Sequence, residues 1–398
     1  MKEAVVNHQL QKIEKLAEEK ADELEDQQFD KYHEIYDLAF KFLSTAPVLL
    51  YGGMAINDLL PPKMKIYKKH KLPDIDIFTK DSIKIAKGLV AYFKKHGHQV
   101  ASYGDALHEG TYKVYVMGLQ VVDISGVSPK AFKRLSENSF RGESGLIIVN
   151  PQFLRMSLHM MLSQPNDAHR WTKVFQRLIA LYKVIPPIPC KKSVSAAATL
   201  KEDEIANIIE INKVAYDYVI AAGYMLFGLH ELEIFFETVP DHFRWAPDLP
   251  AIQVLTSNDV FEVATDIIEK LGYPQLTLTP VYEADDFIPR HIFITYGRHK
   301  LMGIFTANSC MSYIDYKGMK VASIHTVIRM YMLMLLSGYS HFERIYDSLE
   351  CMVNALSSLQ FESIGSKKKI FKEFIKECYG MHKGLITLKR ERLLRYEK

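Results

Sequence analysis

The sequence predicts an α/β (α+β) protein in which one fold occurs twice in tandem, each copy having a small mixed sheet flanked by helices. Strand-like apolar segments alternate with amphipathic helical segments along both halves of the chain. The segments PDIDIFTKDSIKIAKGLVAYFKKHGH (73–98) and IVNPQFLRMSLHMMLSQ (148–164) align with PAIQVLTSNDVFEVATDIIEKLGY (250–273) and ASIHTVIRMYMLMLLSG (322–338). YGGMA (51–55) also aligns with AAGYM (221–225). Three matches in the same order indicate an internal repeat.

The elements of the first copy follow from apolar periodicity and from its glycines. In residues 1–45, Leu10, Ile13 and Leu16 recur at three-residue spacing among Glu and Lys, which predicts a helix. Residues 48–60 are predicted to form a strand, a tight turn at Gly52–Gly53 and a helix. A strand is predicted in 72–79 and a helix in 81–98. Two strands are predicted in 112–125, with Gly118 at their turn, and helices from 150 to about 185.

Composition suggests where the domains end. Residues 184–204 are rich in Pro, Ser and Lys, as is typical of a linker. We therefore predict a helical leader at 1–45, a first domain at 46–185, a linker at 186–204, and a second domain with C-terminal helices at 205–398.

The bulk composition excludes several classes of protein. Fifty Lys and Arg against forty-seven Asp and Glu give a formal net charge of +3, so any nucleic-acid surface is expected to be a local patch. The four cysteines lie far apart without a CxxC spacing, which predicts reduced thiols rather than disulfides or a zinc site. The amino terminus lacks a signal-peptide pattern, and the longest apolar run, at 331–336, is too short to cross a bilayer. We expect a cytosolic or nuclear protein without a membrane anchor.

Three aspartates distinguish the first copy from the second. Asp74 and Asp76 are two residues apart in a predicted strand, so their carboxylates point to the same side, and Asp123 lies in another apolar strand. The aligned residues of the second copy are Ala251, Gln253 and Gly303. Because the second copy keeps the apolar framework without these carboxylates, we predict that the three aspartates serve chemistry rather than folding.

Such a cluster suits a hard divalent cation. Two adjacent carboxylates repel each other unless a counter-charge is present, and Mg²⁺ prefers carboxylate oxygens together with water and phosphates. Two metals held by Asp74, Asp76 and Asp123 would stabilise the attacking and leaving oxygens of an in-line phosphoryl displacement. Gly52 and Gly53 would let backbone N–H groups approach a triphosphate at the start of the following helix.

Each part of this pattern also has a simpler explanation. A lone DxD is commonly the end of a surface strand, and either glycine alone could be a turn. The basic segments KMKIYKKHK (63–71), KKKIFKEFIKE (367–377) and LKRERLLRYEK (388–398) could contact RNA or could be solvated loops and helix faces. His159 and Arg155 could touch a nucleotide, although Arg155 recurs as Arg329 in the second copy, which favours a structural role.

The order LYGGMAI, PDIDIFT and VVDIS resembles the polymerase-β-like nucleotidyltransferase superfamily. The residues within these motifs are similar to those of the poly(A) polymerase catalytic subunits of large cytoplasmic DNA viruses, of the poxvirus, asfarvirus and mimivirus types. The similarity covers roughly residues 45 to 165 at the level of motifs. In that viral group a catalytic nucleotidyltransferase domain is followed by a degenerate one, which implies two nucleotidyltransferase-like domains here, the second without the acidic residues.

The resemblance implies a template-independent poly(A) polymerase that adds AMP from ATP to the 3′-OH of mRNA with two Mg²⁺ ions, Mn²⁺ being an alternative. Asp74 and Asp76 would bind both metals, Asp123 would help to activate the 3′-hydroxyl, and Gly52 and Gly53 would contact the triphosphate. It implies a homodimer or a separate processivity subunit, and a place in the host cytoplasm or the virion. The alternatives are a nucleotidyltransferase with another acceptor (a tRNA end, an oligoadenylate, a small molecule or a protein), and a non-catalytic RNA-binding scaffold.

Overall fold

The computed structural model describes residues 2–67, 71–188, 202–236, 249–381, 387 and 389–390. Packing divides the chain into two compact units, one formed by residues 1–127 and 138–149 and the other by 128–137 and 150–398. The domain limits predicted from the sequence remain predictions. Most of the predicted linker, residues 189–201, lies outside the described part of the chain.

The first unit contains a mixed sheet that follows a long helix. Its elements are α1 (Lys2–Leu43), β1 (Leu49–Tyr51), α2 (Gly52–Leu59), β2 (Ile75–Thr79), α3 (Ser82–Lys95), β3 (Ala101–Asp105), β4 (Thr111–Val116), β5 (Leu119–Gly126), β6 (Phe140–Arg141) and β7 (Ile147–Ile148). The strand order is β3-β4-β5-β2-β1-β7-β6. Strand β2 runs parallel to β5 and antiparallel to β1, so the sheet is mixed as predicted.

Local sequence explains why these elements form. In β2, Ile75 and Ile77 are fully buried while the alternate residue Asp76 is only half-buried, as the two-residue period of a strand requires. Helix α3 begins where the Asp81 side chain accepts a hydrogen bond of 3.1 Å from the Lys84 amide. It ends before Gly97, whose φ of 95° is in the left-handed region that glycine tolerates.

The second unit contains the second sheet and most of the remaining helices. Its elements are α4 (Pro129–Ser136), α5 (Pro151–Leu162), α6 (Trp171–Val184), α7 (Glu202–Ala221), β8 (Met225–Leu226), α8 (Leu229–Phe235), β9 (Ile252–Thr256), α9 (Val260–Leu271), β10 (Leu276–Leu278), β11 (His291–Tyr296), β12 (His299–Thr306), β13 (Met311–Tyr316), β14 (Met319–Ala322), α10 (Ile324–Leu336), α11 (Ser340–Glu343), α12 (Tyr346–Glu362) and β15 (Cys378–Tyr379). The strand order is β10-β11-β12-β9-β8-β14-β13-β15.

The two sheets share one topology, which confirms the internal repeat. Leaving aside β15, each strand of the second sheet has a counterpart in the first at the same place and with the same parallel or antiparallel neighbours. The register also agrees, because Asp76 pairs with Asp123 in the first sheet and Gln253 pairs with Gly303 in the second. These are the positions that the sequence alignment equated.

One of the three repeat matches was wrong. The alignment of YGGMA with AAGYM places Tyr51 opposite the end of α7. In the structure, the residue facing Gln253 across the β8–β9 pair is Phe227, whose amide donates to the Gln253 carbonyl at 2.9 Å. The true counterpart of Tyr51–Gly52 is therefore Phe227–Gly228, six residues further on, and Gly228 precedes α8 as Gly52 opens α2.

Two further expectations were wrong. Cys310, which directly precedes β13, forms a disulfide with Cys378 of β15, so these thiols are not reduced. The segment 367–377, expected to be helical, contains only a short 3₁₀ turn at Lys369–Phe371. Its apolar residues Phe371 and Ile375 are buried, and Phe374 stacks on Trp171. This basic segment is thus an irregular stretch that packs its apolar residues on the second unit.

No helix in the described ranges is long and apolar enough to cross a bilayer.

A buried histidine pair in the second unit should make stability depend on pH. Nε2 of His291 lies 3.1 Å from Nε2 of His341, and both side chains are buried. Burial lowers the pKa of His291 to about 4 and also lowers that of His341. The unfolded chain takes up protons near pH 6.5 while the folded pair does not. The stabilisation is therefore complete above pH 6.5 and is lost as the pH falls towards 4.

We expect His341→Gln to reduce the pH dependence of the unfolding free energy between pH 6.5 and 4.5 by up to about 1.4 kcal/mol per pH unit, the value for one proton. Denaturant unfolding across this range measures the slope. The exposed His108→Gln is the control and should leave the slope unchanged. An unaltered slope in His341→Gln would contradict the role of the pair.

Candidate active site

The strand register brings two of the predicted carboxylates together. Asp76 on β2 is directly paired with Asp123 on the parallel strand β5, and with Tyr51 on the other side, on β1. Paired residues on neighbouring strands point to the same face of the sheet, so Asp76 and Asp123 share a face. Both are half-buried.

Asp74 lies one residue before β2 and is exposed. Its charge, together with the larger effect of burial, raises the pKa of the Tyr36 hydroxyl on α1. The structure thus places Asp74 near the end of β2 that also carries Asp76, and near α1.

Gly52 has a steric reason to be glycine. Its φ is 71°, in the left-handed region, and a Cβ at this position would overlap Oδ2 of Asp76. The absence of a side chain therefore lets the backbone at the start of α2 lie directly against the Asp76 carboxylate. Gly53 follows in the first turn of α2, where amide groups have no intrahelical acceptor and can bind an anion.

The Asp123 carboxylate is held by two side chains that the sequence interpretation missed. Nζ of Lys113, from the facing position on β4, lies 2.9 Å from Oδ2 of Asp123, and Nε2 of Gln120 donates to Oδ1 at 3.0 Å. Lys113 also donates to Oε1 of Gln120 at 2.8 Å. The ammonium group offsets the repulsion between Asp123 and Asp76.

Tyr51 adds a hydroxyl to the same face. Its OH group lies 3.1 Å from Oγ of Ser125, two residues beyond Asp123 on β5, and its ring stacks on Phe78 at 3.9 Å. Burial raises the pKa of Tyr51, and the charges of Asp76 and Asp123 raise it further, so the phenol stays protonated. The two-residue spacing of Asp123 and Ser125 is the sequence signal that could have identified Ser125.

The donor set suits a hard divalent cation, since it consists of carboxylate oxygens beside a glycine cradle. As the side chains stand, no three His, Cys, Asp or Glu residues among those described are gathered closely enough to hold a metal ion. Asp123 is paired with Lys113, whose ammonium group contacts both oxygens of that carboxylate.

The equivalent place in the second unit is filled. Gln253, at the position of Asp76, is fully buried and its amide donates to the carbonyl of Pro250 and the hydroxyl of Tyr331, both at 3.2 Å. A Cβ on Gly303, at the position of Asp123, would lie 2.9 Å from the Phe305 ring. Aromatic packing thus occupies the space where the first unit presents carboxylates.

Other residues singled out in the sequence lie in the core. His159 is fully buried, with Nδ1 2.9 Å from Nδ1 of His325 and Nε2 2.7 Å from the hydroxyl of Tyr182. Arg155 and Arg329 are also buried, which agrees with the structural role inferred from their repetition. The centre of segment 63–71, residues 68–70, and the end of the basic segment 388–398 lie outside the described residues.

Comparisons with known proteins agree with the resemblance seen in the sequence. The model of the family "Poly(A) polymerase catalytic subunit" matches residues 37–168, which include all five predicted site residues. The chain is 25% identical over 286 residues to a putative poly(A) polymerase catalytic subunit of African swine fever virus (strain Badajoz 1971 Vero-adapted), covering 69% of this chain and 54% of that protein. It is 26% identical over 187 residues to the protein of the same description from Acanthamoeba polyphaga mimivirus, covering 46% of this chain and 32% of that one.

The fold is similar to the crystal structure of the Megavirus polyadenylate synthase. The TM-score is 0.78 at 19% sequence identity, and the match covers 98% of this chain and 82% of the other. The chain spans about half the length of the African swine fever virus proteins that it matches. The resemblance to viral poly(A) polymerase catalytic subunits, and the fold that it implied, are confirmed.

Substituting Gly52 should test the contact with Asp76. We expect Gly52→Ala to lower the free energy of unfolding by about 1–2 kcal/mol for the left-handed backbone, and further for the overlap with Asp76. In an Asp76→Ala background the overlap term should disappear and only the backbone cost should remain.

Denaturant unfolding of the four proteins of this cycle gives the coupling. Gly104→Ala on β3, where a Cβ meets nothing within 4 Å, is the matched control and should be nearly neutral. Equal costs of Gly52→Ala in both backgrounds would show that the carboxylate does not rest against Gly52.

Proposed function

We propose that this protein is a template-independent RNA adenylyltransferase, which adds AMP from ATP to the 3′-OH of mRNA and releases pyrophosphate. The observation that carries the proposal is the pairing of Asp76 with Asp123 on adjoining strands, with Gly52 against Asp76, inside the segment that the poly(A) polymerase family matches.

Each residue has a proposed role. Asp74, Asp76 and Asp123 would hold two Mg²⁺ ions, with Mn²⁺ as a substitute. When bound, such cations stabilise negative charge on the attacking and leaving oxygens of the phosphoryl group. Gly52 and Gly53 leave the first amides of α2 open to the triphosphate. Lys113 and Gln120 fix the orientation of Asp123 before substrates arrive.

The wider assembly is also part of the proposal. We place the activity in the host cytoplasm or the virion, in a homodimer or with a processivity subunit. The alternatives remain a nucleotidyltransferase that uses another acceptor and a non-catalytic RNA-binding scaffold. Incubating the protein with a short oligo(A) primer, Mg²⁺ and each of the four NTPs in turn separates them. Extension by many residues with ATP supports the proposal, and no ATP-dependent lengthening contradicts it.

Removing the charges of the DxD pair should abolish turnover without unfolding the protein. We expect Asp74→Asn with Asp76→Asn to slow primer extension by at least about a thousandfold, because the cations contribute several kcal/mol of charge stabilisation. The rate is measured in single-turnover reactions and the fold by thermal unfolding. Asp217→Asn, an exposed aspartate on α7, is the control and should extend primers normally. Unchanged RNA affinity and biological function in the double variant would favour the scaffold.

A basic cavity supports a role of the second unit in holding RNA. The cavity, of about 400 Å³, is lined by Lys130, Lys133 and Arg134 of α4, together with acidic and aromatic side chains. Arg134 is already paired with Glu137 and Glu343, whereas Lys130 and Lys133 are exposed and form no ion pair within the described residues. Two exposed ammonium groups at one cavity can bind successive phosphates of a single strand.

We expect Lys130→Ala with Lys133→Ala to weaken oligo(A) binding and to reduce the slope of log affinity against log salt by up to about 1.4, the value for two phosphate contacts on a single strand. Fluorescence anisotropy at several salt concentrations measures this slope. Lys213→Ala, an exposed lysine on α7, should leave both quantities unchanged. An unaltered slope in the double variant would show that these α4 lysines do not contact RNA phosphates.

A further inference from the structure

The first unit contains a cavity beside the candidate active site, separate from the basic cavity of α4. None of the residue roles proposed above involves it. It has a volume of about 190 Å³ and lies between α1, the first turn of α2 and the chain just before β2. We call it the leader cavity. Its wall includes Met54, which follows Gly52–Gly53 in α2, and Leu72 and Pro73, which directly precede Asp74. The leader cavity therefore adjoins both the glycine turn and the DxD segment.

Tyr36 fixes α1 to this segment. Its side chain is only 4% exposed, and its hydroxyl donates to the carbonyl of Leu72 at 3.4 Å. Burial raises the pKa of the Tyr36 hydroxyl, and the charge of the nearby Asp74 raises it further. Tyr36 thus positions the leader cavity relative to Asp74.

The helix presents a row of rings to the leader cavity. Phe29, His33, Tyr36 and Phe40 are spaced by four, three and four residues, so they lie on one face of α1. The rings of Phe29 and His33 are stacked, with centroids 5.3 Å apart and planes 19° apart.

Packing of the helix does not by itself account for this row. Ile35, Ala39 and Leu43 are at most 2% exposed and anchor α1 on the first unit. Phe29 and Phe40, by contrast, are only half-buried, and His33 is exposed. Partly exposed aromatic side chains that line a cavity are a surface on which nucleobases stack.

We propose that the leader cavity binds a nucleobase, either that of the incoming nucleotide or that of the 3′-terminal residue of the RNA. This inference rests on the proposed function, and it gives the helical leader a part in substrate binding. The cavity is smaller than the roughly 300–1,000 Å³ typical of sites for whole drug-sized ligands, so it fits a base whose phosphates lie outside, towards α2.

The polar rim indicates which bases are favoured. Asp37 and Lys71 are the exposed charged residues of the lining; a carboxylate accepts hydrogen bonds, whereas an ammonium group donates them. The Asp37 carboxylate therefore complements the exocyclic amino group of adenine or cytosine and disfavours the carbonyl oxygen at the corresponding position of uracil. Asp37 thus contributes to a preference for adenine over uracil.

Equilibrium binding of two fluorescent probes tests the proposal. One probe is the α,β-methylene triphosphate of 2-aminopurine riboside, which cannot be transferred, and the other is oligo(A) with 2-aminopurine at its 3′ end. Stacking quenches both. The variant Phe29→Leu with His33→Leu removes two aromatic faces while keeping apolar bulk. Tyr32→Leu, an aromatic residue of the same helix outside the cavity lining, is the matched control.

We expect the double variant to bind one probe about five- to a hundredfold more weakly and with less quenching, as for the loss of base stacking, while Tyr32→Leu binds as wild type. Weakening of the triphosphate probe assigns the cavity to the incoming base, and weakening of the oligonucleotide assigns it to the 3′ terminus. A second variant, Asp37→Asn, should lower the preference for ATP over UTP in competition with the affected probe. Thermal unfolding verifies that each variant is folded.

The proposal is overturned if both probes bind the double variant within twofold of wild type, or if wild type binds neither. Primer extension by the same proteins separates this outcome from failure of the proposed function. If the double variant extends and binds RNA normally, only the proposal for the leader cavity is contradicted. If wild type extends no RNA but the double variant binds a probe more weakly, the adenylyltransferase activity is contradicted and the cavity remains a nucleobase site.

Discussion

The arrangement of the first unit depends on placing two carboxylates side by side on neighbouring parallel strands. The half-buried Asp76 and Asp123 share one face of the sheet, where their charges would repel each other. Lys113 offsets that repulsion on one side, and Gly52 leaves room for the Asp76 carboxylate on the other. The strand register, Gly52 and Lys113 therefore act together. A change in any of them would alter the position or the balance of the negative charge of Asp76 and Asp123.

The second unit shows what the same fold becomes when that constraint is absent. With Gln253 and Gly303 in place of the acids, no counter-charge is needed, and the region closes around Phe227, Phe305 and Tyr331. The strand order persists because it is set by apolar alternation, which both copies retain. Fold and charge are thus separable in this chain, which is the physical reason for proposing that the three aspartates serve chemistry.

Much of this could be predicted from the sequence because its signals are local. The strands, the helices and the alignment of Asp76 with Gln253 follow from periodicity over short windows. The alignment of YGGMA with AAGYM was wrong because five residues are too few to define an alignment. Strand pairing shows that the counterpart of Tyr51 is Phe227. Lys113 and the Tyr51–Ser125 pair were missed since they depend on contacts across the sheet. The Cys310–Cys378 disulfide joins residues 68 positions apart, a proximity that spacing along the chain does not reveal.

The course of the chain has a consequence for dividing the protein into fragments. Helix α4 lies in sequence between β5 and β6 of the first unit but packs in the second, where Leu135 is buried and its carbonyl accepts from the Asn150 amide at 2.8 Å. The chain therefore passes between the units at residues 127–128, 137–138 and 149–150 rather than once. A fragment ending near residue 149 would carry α4 without its partners, and one starting there would lack it. The two copies, although alike in topology, are not exchangeable modules that a single cut could separate.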